Sequence, residues 1–173
     1  AVTVQLSKGD LVDPLKALEM GQEGDVIVVD AGGDLNTSVC GGLMGGLAQN
    51  RGIRGMIVDG AGRDTDELEE INWPIWTRAI TPRGTHTMFS ERREELSINV
   101  PIACGGVVVN PGDFIVADLM GVVVVPLESA GEVVRLAQAQ ANREVAPIAW
   151  VAQGKKHKHL QNELGRNETS GYC

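Results

Sequence analysis

The sequence predicts a mixed α/β fold in which helices, a parallel sheet and antiparallel hairpins form β/β/α layers. Two apolar runs, residues 26–30 and 55–59, flank a segment with helical spacing, which is typical of a right-handed strand-helix-strand unit. The apolar runs between residues 100 and 125 follow one another too closely for crossover helices. A doubly wound fold is therefore disfavoured for the whole chain, and hairpins are expected in its second half.

The individual elements follow from alternation, helical spacing and turn residues. Expected strands are residues 1–6, 26–30, 55–59, 74–76, 78–80, 100–103, 107–109, 114–118 and 122–125. Expected helices are residues 13–20, 43–48, 64–71 and 128–145. A polar loop is expected after residues 31–33, Gly52 is expected to stop the second helix, and Pro147 is expected to interrupt the last one. Residues 110–113 carry a strong turn signal.

Composition limits the possible classes of function. The formal net charge of −8 over 173 residues argues against a nucleic-acid-binding surface. No run of 18 apolar residues and no N-terminal leader pattern occur, so a soluble cytoplasmic protein without membrane contact is expected. The three widely spaced cysteines predict reduced thiols rather than zinc ligands or disulfides. We expect one domain over residues 1–150, followed by a polar tail over residues 151–173.

Two segments could carry chemistry, and each has a structural alternative. Arg63 and Asp64 follow a buried strand at the end where α/β sheets place ligands, and they could bind a carboxylate and a divalent metal. They could equally be a solvated pair, with Asp64 capping the next helix. The glycine-rich residues 41–46 could offer backbone amides to an anion or could simply permit close packing. The acidic residues 64–70 are interpreted mainly as a solvated helix face, and His86, His157 and His159 as solvated histidines.

Several ordered blocks together resemble the RraA-like family, which includes the 4-hydroxy-4-methyl-2-oxoglutarate/4-carboxy-4-hydroxy-2-oxoadipate aldolases. The resemblance extends over about residues 1–145. Its blocks are GDVIVVD (24–30), GGLM (41–44), GIRGMIVDG (52–60), RD (63–64), PRG (82–84), VPI (100–102), CGGV (104–107), PGD (111–113) and GVVVVP (121–126).

The resemblance implies a swivelling β/β/α-type fold, a homotrimer or dimer of trimers, and active sites between subunits. It implies that Arg63 binds the carboxylate of a small oxo acid and that Asp64 ligates Mg²⁺, Mn²⁺ or another divalent cation. It also implies that backbone amides of Gly41, Gly42, Leu43 and Met44 bind substrate oxygens. Retro-aldol cleavage and oxaloacetate decarboxylation would then share a pyruvate enolate.

An acid in the closing helix, assigned to Glu144, is expected to reach the metal of a neighbouring subunit. The sequence also departs from the aldolase pattern. Gly42 stands where aldolases carry an acid that organises the proton-donating water. We also expect this sequence to lack the family's N-terminal helical portion.

Two further interpretations belong to the same resemblance. One is a non-catalytic regulator that inhibits a ribonuclease by protein contact, which the glycine at position 42 favours and the intact Arg63–Asp64 pair disfavours. The other is dimethylmenaquinone methyltransferase, a label often attached to such sequences. The methyltransferase reading is disfavoured because Gly32 and Gly33 are too little to form an S-adenosylmethionine site.

Overall fold

The computed structural model describes residues 1–6, 12–85 and 97–154. Its strands are β1 Val2–Gln5, β2 Val26–Cys40, β3 Gly55–Gly62, β4 Ile75–Ile80, β5 Ile102–Cys104, β6 Val107–Val109, β7 Phe114–Asp118 and β8 Gly121–Val125. Its helices are α1 Val12–Met20, α2 Gly42–Asn50, α3 Thr65–Glu70 and α4 Ala130–Ala152, with a 3₁₀ turn at Leu127–Ser129. No helix within these ranges is both long and apolar enough to cross a membrane.

The first half of the chain builds a four-stranded parallel sheet in the order β1-β2-β3-β4. Each pair of neighbouring strands is joined through a helix, as parallel pairing requires. β3 is buried along its whole length, which explains its nearly continuous apolar sequence. The carboxyl ends of β2 and β3 therefore lie side by side, and the segments that follow them meet there.

Alternate residues of the central strands enter two separate cores. Val29, Met56 and Val58 pack with residues of α1, α2 and α3 on one face of the sheet. Val28 and Ile57 pack on the other face with residues of the hairpins β5–β6 and β7–β8, both of which are antiparallel. The predicted β/β/α layering and the predicted hairpins are thus confirmed.

Two predictions about individual elements are wrong. Residues 31–40 do not form a loop, because β2 continues to Cys40 with three register shifts opposite β3. Gly32 and Gly33 adopt φ of 61° and 70°, which lets the strand bend and resume pairing. Pro147 does not end the last helix, which continues to Ala152. Arg143 is exposed there, so water can take the place of the N–H that proline lacks.

A buried carboxylate organises the turn at residues 110–113. Asp113 is 3% exposed, and its Oδ2 accepts a hydrogen bond from the Asn110 N–H at 2.8 Å. Its Oδ1 accepts one from the Leu127 N–H at 3.1 Å, at the end of β8. Gly112 takes φ of 90°, a conformation that glycine reaches without strain. The predicted turn is confirmed, and Asp113 links it to the segment that follows β8.

The chain divides into two compact units, Ala1–Leu127 and Glu128–Cys173. The first contains the sheet, both hairpins and α1 to α3. The described part of the second is α4, whose apolar residues Val134, Val145 and Ile148 are exposed.

Candidate active site

Arg63 and Asp64 lie where β3 ends and α3 begins, beside the end of β2. The Arg63 N–H donates to the Cys40 carbonyl at 2.9 Å, which ties the two strand ends together. The Arg63 Nε donates to Asp64 Oδ2 at 3.2 Å, and the two side chains are 43% and 36% exposed. Both charged groups are therefore anchored by the sheet and still accessible to a ligand.

Asp64 does not behave as an ordinary helix cap. It occupies the N-cap position of α3, but its side chain makes no capping hydrogen bond. Its Oδ2 instead accepts a hydrogen bond from the Gly42 N–H at 3.2 Å, at the start of α2. The backbone of Asp64 is left-handed, with φ of 52° and ψ of 45°. The carboxylate is thus turned away from its own helix and toward the N-terminus of another.

The contacts of the Asp64 carboxylate offset the strain of its backbone. A left-handed non-glycine residue costs on the order of 1–3 kcal/mol, and aspartate lies near the lower end of that range. The exposed Arg63–Asp64 ion pair contributes about 0–1 kcal/mol, and the hydrogen bond from the Gly42 N–H contributes about 1–3 kcal/mol. Left-handed residues that their surroundings hold in place cluster at functional sites, so this geometry marks Asp64 as a candidate functional residue.

Two glycines make room for the Arg63 side chain. A Cβ at Gly41 would lie 2.9 Å from Arg63 Cγ and 3.0 Å from Arg63 Nε, and would overlap Asp64 Oδ2. A Cβ at Gly84 would lie 2.5 Å from Arg63 Nη1. The guanidinium in its present position therefore occupies space that a side chain at either glycine would take, which limits where it can point.

A cavity of about 140 Å³ opens beside Arg63, whose neighbour Asp64 is not part of its lining. Its volume equals that of about five molecules of liquid water, which suits a small organic acid. Its walls are Leu15, Ser38, Val39, Cys40, Gly41, Leu43, Met44, Leu47, Arg63 and Thr85. Apolar walls around one guanidinium form an environment in which a carboxylate would be bound and partly desolvated.

The start of α2 adds backbone donors to the same region. Gly41 is its N-cap residue, and no side chain caps the helix there. Helix geometry leaves the amides of Leu43 and Met44 without an intrahelical acceptor, and the helix dipole favours negative charge at this end. Leu43 and Met44 line the cavity together with Arg63, so these donors lie near the place where an anionic oxygen of a ligand would bind.

The chemistry of Asp64 fits a hydrated divalent cation. No group of three or more His, Cys, Asp or Glu side chains within the described part of the chain could enclose a metal. Mg²⁺ keeps several waters and is commonly held by one or two carboxylates and its substrate, so a single accessible carboxylate suffices. A closed structural site of the zinc type does not match this donor set.

The two described cysteines are unsuited to nucleophilic roles. Burial, reinforced by the nearby Asp64 charge, raises the pKa of the Cys40 thiol to about 12. Burial, followed by the charge of Asp59, raises the pKa of Cys104 to about 11. Both thiols are free and remain protonated near neutral pH.

The structure brings most of the sequence-predicted residues together. Gly41, Leu43, Met44 and Arg63 line the cavity, while the Gly42 N–H is directed to Asp64. Glu144 is exposed on α4 and accepts a hydrogen bond from Gln140 Nε2 at 2.7 Å, so its metal role stays a prediction. His86, His157 and His159 lie outside the described residues.

Sequence reasoning missed one acid that lies at the site. The Glu67 side chain packs against Gly42: a Cβ on that glycine would lie 2.8 Å from Glu67 Cβ and Cδ, and would overlap Oε2. The available signal was the position of Glu67 in the chain, only three residues after Asp64. It was hidden within a run of acids interpreted as a solvated face.

A larger cavity of about 250 Å³ lies beneath the hairpins. It is mostly apolar, and its polar groups are those of Asp59 and Arg78, which form an ion pair, together with Thr77 and Cys104. The Asp59 Oδ2 also accepts the Gly105 N–H at 2.7 Å. Since these charged groups already satisfy each other, this cavity is a weaker candidate than the smaller one beside Arg63 and Asp64.

The family assignment agrees with this geometry. The RraA-like family model, described as Aldolase/RraA, matches residues 1–124, which include the sheet, the candidate site and most of the hairpins. The chain belongs to the RraA-like family.

Individual relatives carry different functional names. A protein of Halalkalibacterium halodurans, provisionally named 4-hydroxy-4-methyl-2-oxoglutarate aldolase, is 44% identical over 126 residues, which are 73% of this chain and 58% of that protein. The 4-hydroxy-4-methyl-2-oxoglutarate aldolase of Thermus thermophilus is 37% identical over 116 residues, 67% of this chain and 68% of that protein. The chain thus spans little more than half of the first relative.

Solved structures show the same fold. An uncharacterized protein from Pseudomonas syringae superposes with a TM-score of 0.77 at 30% identity, over 91% of this chain and 74% of that one. The RNA-processing inhibitor RraA from Thermus thermophilus superposes with a TM-score of 0.64 at 34% identity, over 72% of this chain and 73% of that one. The chain is therefore similar both to proteins named as aldolases and to one named as an inhibitor.

Proposed function

We propose that this chain carries the active site of a divalent-metal-dependent pyruvate aldolase that also decarboxylates oxaloacetate. The observation that carries the proposal is the Asp64 carboxylate, which is held in a left-handed conformation, left free of helix capping and fixed beside Arg63. The names of the relatives support the same reaction class, carbon-carbon bond cleavage in an oxo acid.

In this proposal Arg63 binds the carboxylate of the oxo acid. Its planar guanidinium suits a carboxylate, and Gly41 and Gly84 restrict its position. The amides at the start of α2 bind a second substrate oxygen. Together these contacts hold C2 and C3 of the substrate in one orientation, which is a large part of what such a site contributes to rate.

Asp64 would hold the cation, Mg²⁺ or Mn²⁺. When bound, such a cation polarises the C2 carbonyl and favours the enolate that forms when the C3–C4 bond breaks. The hydrogen bonds from Gly42 N–H and Arg63 Nε fix one oxygen of Asp64 and leave the carboxylate oriented for this task. The same enolate would form from a 4-hydroxy-2-oxo acid and from oxaloacetate.

The test measures pyruvate release from oxaloacetate by the purified chain, with and without Mg²⁺, coupled to NADH oxidation by lactate dehydrogenase. Asp64→Ala is expected to lower kcat/KM at least 100-fold and to remove the dependence on Mg²⁺. Asp66→Ala is the matched control, because it removes the same charge from the exposed first turn of α3. Equal rates in the wild type, Asp64→Ala and the metal-free sample would contradict the proposal.

The proposal includes a homotrimer or dimer of trimers, and a cytoplasmic location. Exposed apolar residues on the hairpins, among them Val108, Phe114 and Val123, support association. The free thiols of Cys40 and Cys104 are compatible with a reducing compartment. Light scattering on the purified chain tests the assembly, and a monomer at micromolar concentration would contradict it.

A second candidate function is inhibition of a ribonuclease by protein contact. The similarity to the RNA-processing inhibitor RraA favours it. A stable complex between this chain and a ribonuclease on a sizing column, together with no turnover of oxaloacetate, would favour the inhibitor over the aldolase.

A further inference from the structure

We propose that Glu67 is the acid-base residue of this site, with Gly42 providing the space that admits its carboxylate. The inference rests on the proposed function and extends it. Any reaction through an enolate needs a group that delivers a proton to carbon, and the pair Arg63–Asp64 supplies none. Arg63 stays protonated, and Asp64 is committed to the Gly42 N–H, to Arg63 and to the cation.

Glu67 is placed by two elements that already build the site. It lies in the first turn of α3, three residues after Asp64 in the chain. Its carboxyl carbon approaches Gly42 so closely that a Cβ on the glycine would lie 2.8 Å away. The Gly42 N–H in turn donates to Asp64. Glu67 and Asp64 therefore contact the same residue at the start of α2.

The position of the Glu67 side chain requires a glycine at position 42. No side chain can be built on Gly42 without overlapping Glu67 Oε2, so an acid at position 42 and Glu67 in its present position exclude each other. The glycine at position 42 thus does not leave the region without a carboxylate. The carboxylate beside the start of α2 belongs to Glu67 of α3 instead of to a residue of α2.

The proposed step balances without any further reactant. The Glu67 carboxylate removes the proton of the C4 hydroxyl of a 4-hydroxy-2-oxo acid as the C3–C4 bond breaks. The electron pair of that bond forms the pyruvate enolate, and C4 becomes a carbonyl. Protonated Glu67 then delivers the same proton to C3, which yields pyruvate and restores the carboxylate. Glu67 is exposed, so water can relay the proton in either direction.

The experiment separates this step from ligand binding. Pyruvate is incubated with the chain and Mg²⁺ in D₂O, and loss of its C3 protons is followed by NMR. Oxaloacetate decarboxylation is measured in parallel, and oxalate affinity is measured by calorimetry. Glu67→Gln is expected to slow exchange and kcat about 100-fold, within the range of acid-base catalysis, with KM and oxalate affinity changed less than twofold. Glu70→Gln, the same charge change on the same exposed helix, is expected to leave all four quantities unchanged.

A relocation variant makes the spatial claim testable. Glu67→Gly removes both the carboxylate and the Cβ that would lie 2.8 Å from a Cβ on residue 42, and combining it with Gly42→Asp places a carboxylate there from α2. The double variant is expected to regain at least tenfold of the exchange rate lost in Glu67→Gly. Wild-type exchange in Glu67→Gln would overturn the assignment, as would a loss of oxalate affinity equal to the loss of kcat. No exchange and no decarboxylation by the wild type would instead refute the proposed function, and this assignment with it.

Discussion

The substitution Gly41→Ala tests whether the shape around Arg63 and Asp64 exists for ligand binding. Gly41 has φ of −150° and ψ of −169°, an extended conformation open to any residue, so alanine adds no backbone strain. The new methyl group would lie 2.9 Å from Arg63 Cγ and 3.0 Å from Arg63 Nε, and would overlap Asp64 Oδ2. All three atoms belong to side chains, which must turn away from their present positions.

The effect on stability is expected to be small. Alanine reduces the freedom of the unfolded chain and so stabilises by about 0.4–1 kcal/mol, and its lower preference for the N-cap position of α2 offsets part of this gain. Displacing a half-exposed ion pair costs about 0–1 kcal/mol. The free energy of unfolding should therefore change by less than about 1 kcal/mol, which corresponds to less than about 4 °C in Tm for a chain of this size.

The effect on function is expected to be large. A displacement of about 1 Å of groups that position a substrate can cost about 100-fold in rate. We therefore expect kcat/KM for oxaloacetate to fall about 100-fold, and oxalate affinity measured by calorimetry to fall at least tenfold.

Gly46→Ala is the matched control for this substitution. It lies in the same helix, and a Cβ there meets nothing within 4 Å. Alanine in a helix interior is favoured over glycine by about 1 kcal/mol, so this variant should be as active as the wild type and slightly more stable. The reasoning is refuted if Gly41→Ala and Gly46→Ala bind oxalate equally well, or if Gly41→Ala lowers Tm by more than about 10 °C.

Three other predictions use the same kinds of observation. Gly84→Ala places a Cβ 2.5 Å from Arg63 Nη1 and should weaken oxalate binding about tenfold with little change in Tm, as calorimetry and thermal melts will check. Asp113→Asn removes one of the two buried carboxylate oxygens that accept hydrogen bonds from the Asn110 and Leu127 N–H groups, so chemical denaturation should show a loss of about 1–3 kcal/mol with kcat unchanged. Because burial raises the pKa of the Cys40 thiol to about 12, iodoacetamide at pH 8 should label Cys40 only after unfolding. The contribution of the protonated Cys40 thiol to the free energy of unfolding should be lost as the pH rises from about 8.5, where the thiol of the unfolded chain ionises, toward 12.

The layered fold could be predicted because its signals are local. Apolar runs, helical spacing and turn residues each depend on a few neighbouring positions, and the strand-helix-strand unit and the hairpins follow from their order. The end of β2 could not be predicted in this way. Ser38 and Cys40 have no strand signal of their own, and they become strand only because Ala61 and Gly62 offer a partner across two register shifts.

The candidate pair could be predicted, but its geometry could not. The position of Arg63 and Asp64 after a buried strand, at the spacing of a known family, was enough to single them out. The left-handed backbone of Asp64 is a tertiary effect, because it lets the carboxylate reach Gly42, a residue 22 positions earlier in the chain. The local sequence left the helix cap open as an alternative, because capping is a common use of aspartate at that position.

Glycines explain why the remaining part of the site escaped sequence reasoning. A glycine in a sequence is interpreted by its own conformation, as a turn, a helix end or a close contact. Gly41, Gly42 and Gly84 matter here for the space they leave, and Arg63, Asp64 and Glu67 occupy that space. The effect on function of having Gly42 in place of the acid of the aldolase pattern can therefore be interpreted only when the side chain that fills the vacated space is known. If Glu67 carries the proton, the departure conserves the chemistry; if it does not, the same glycine favours the inhibitor, and the exchange of C3 protons distinguishes the two.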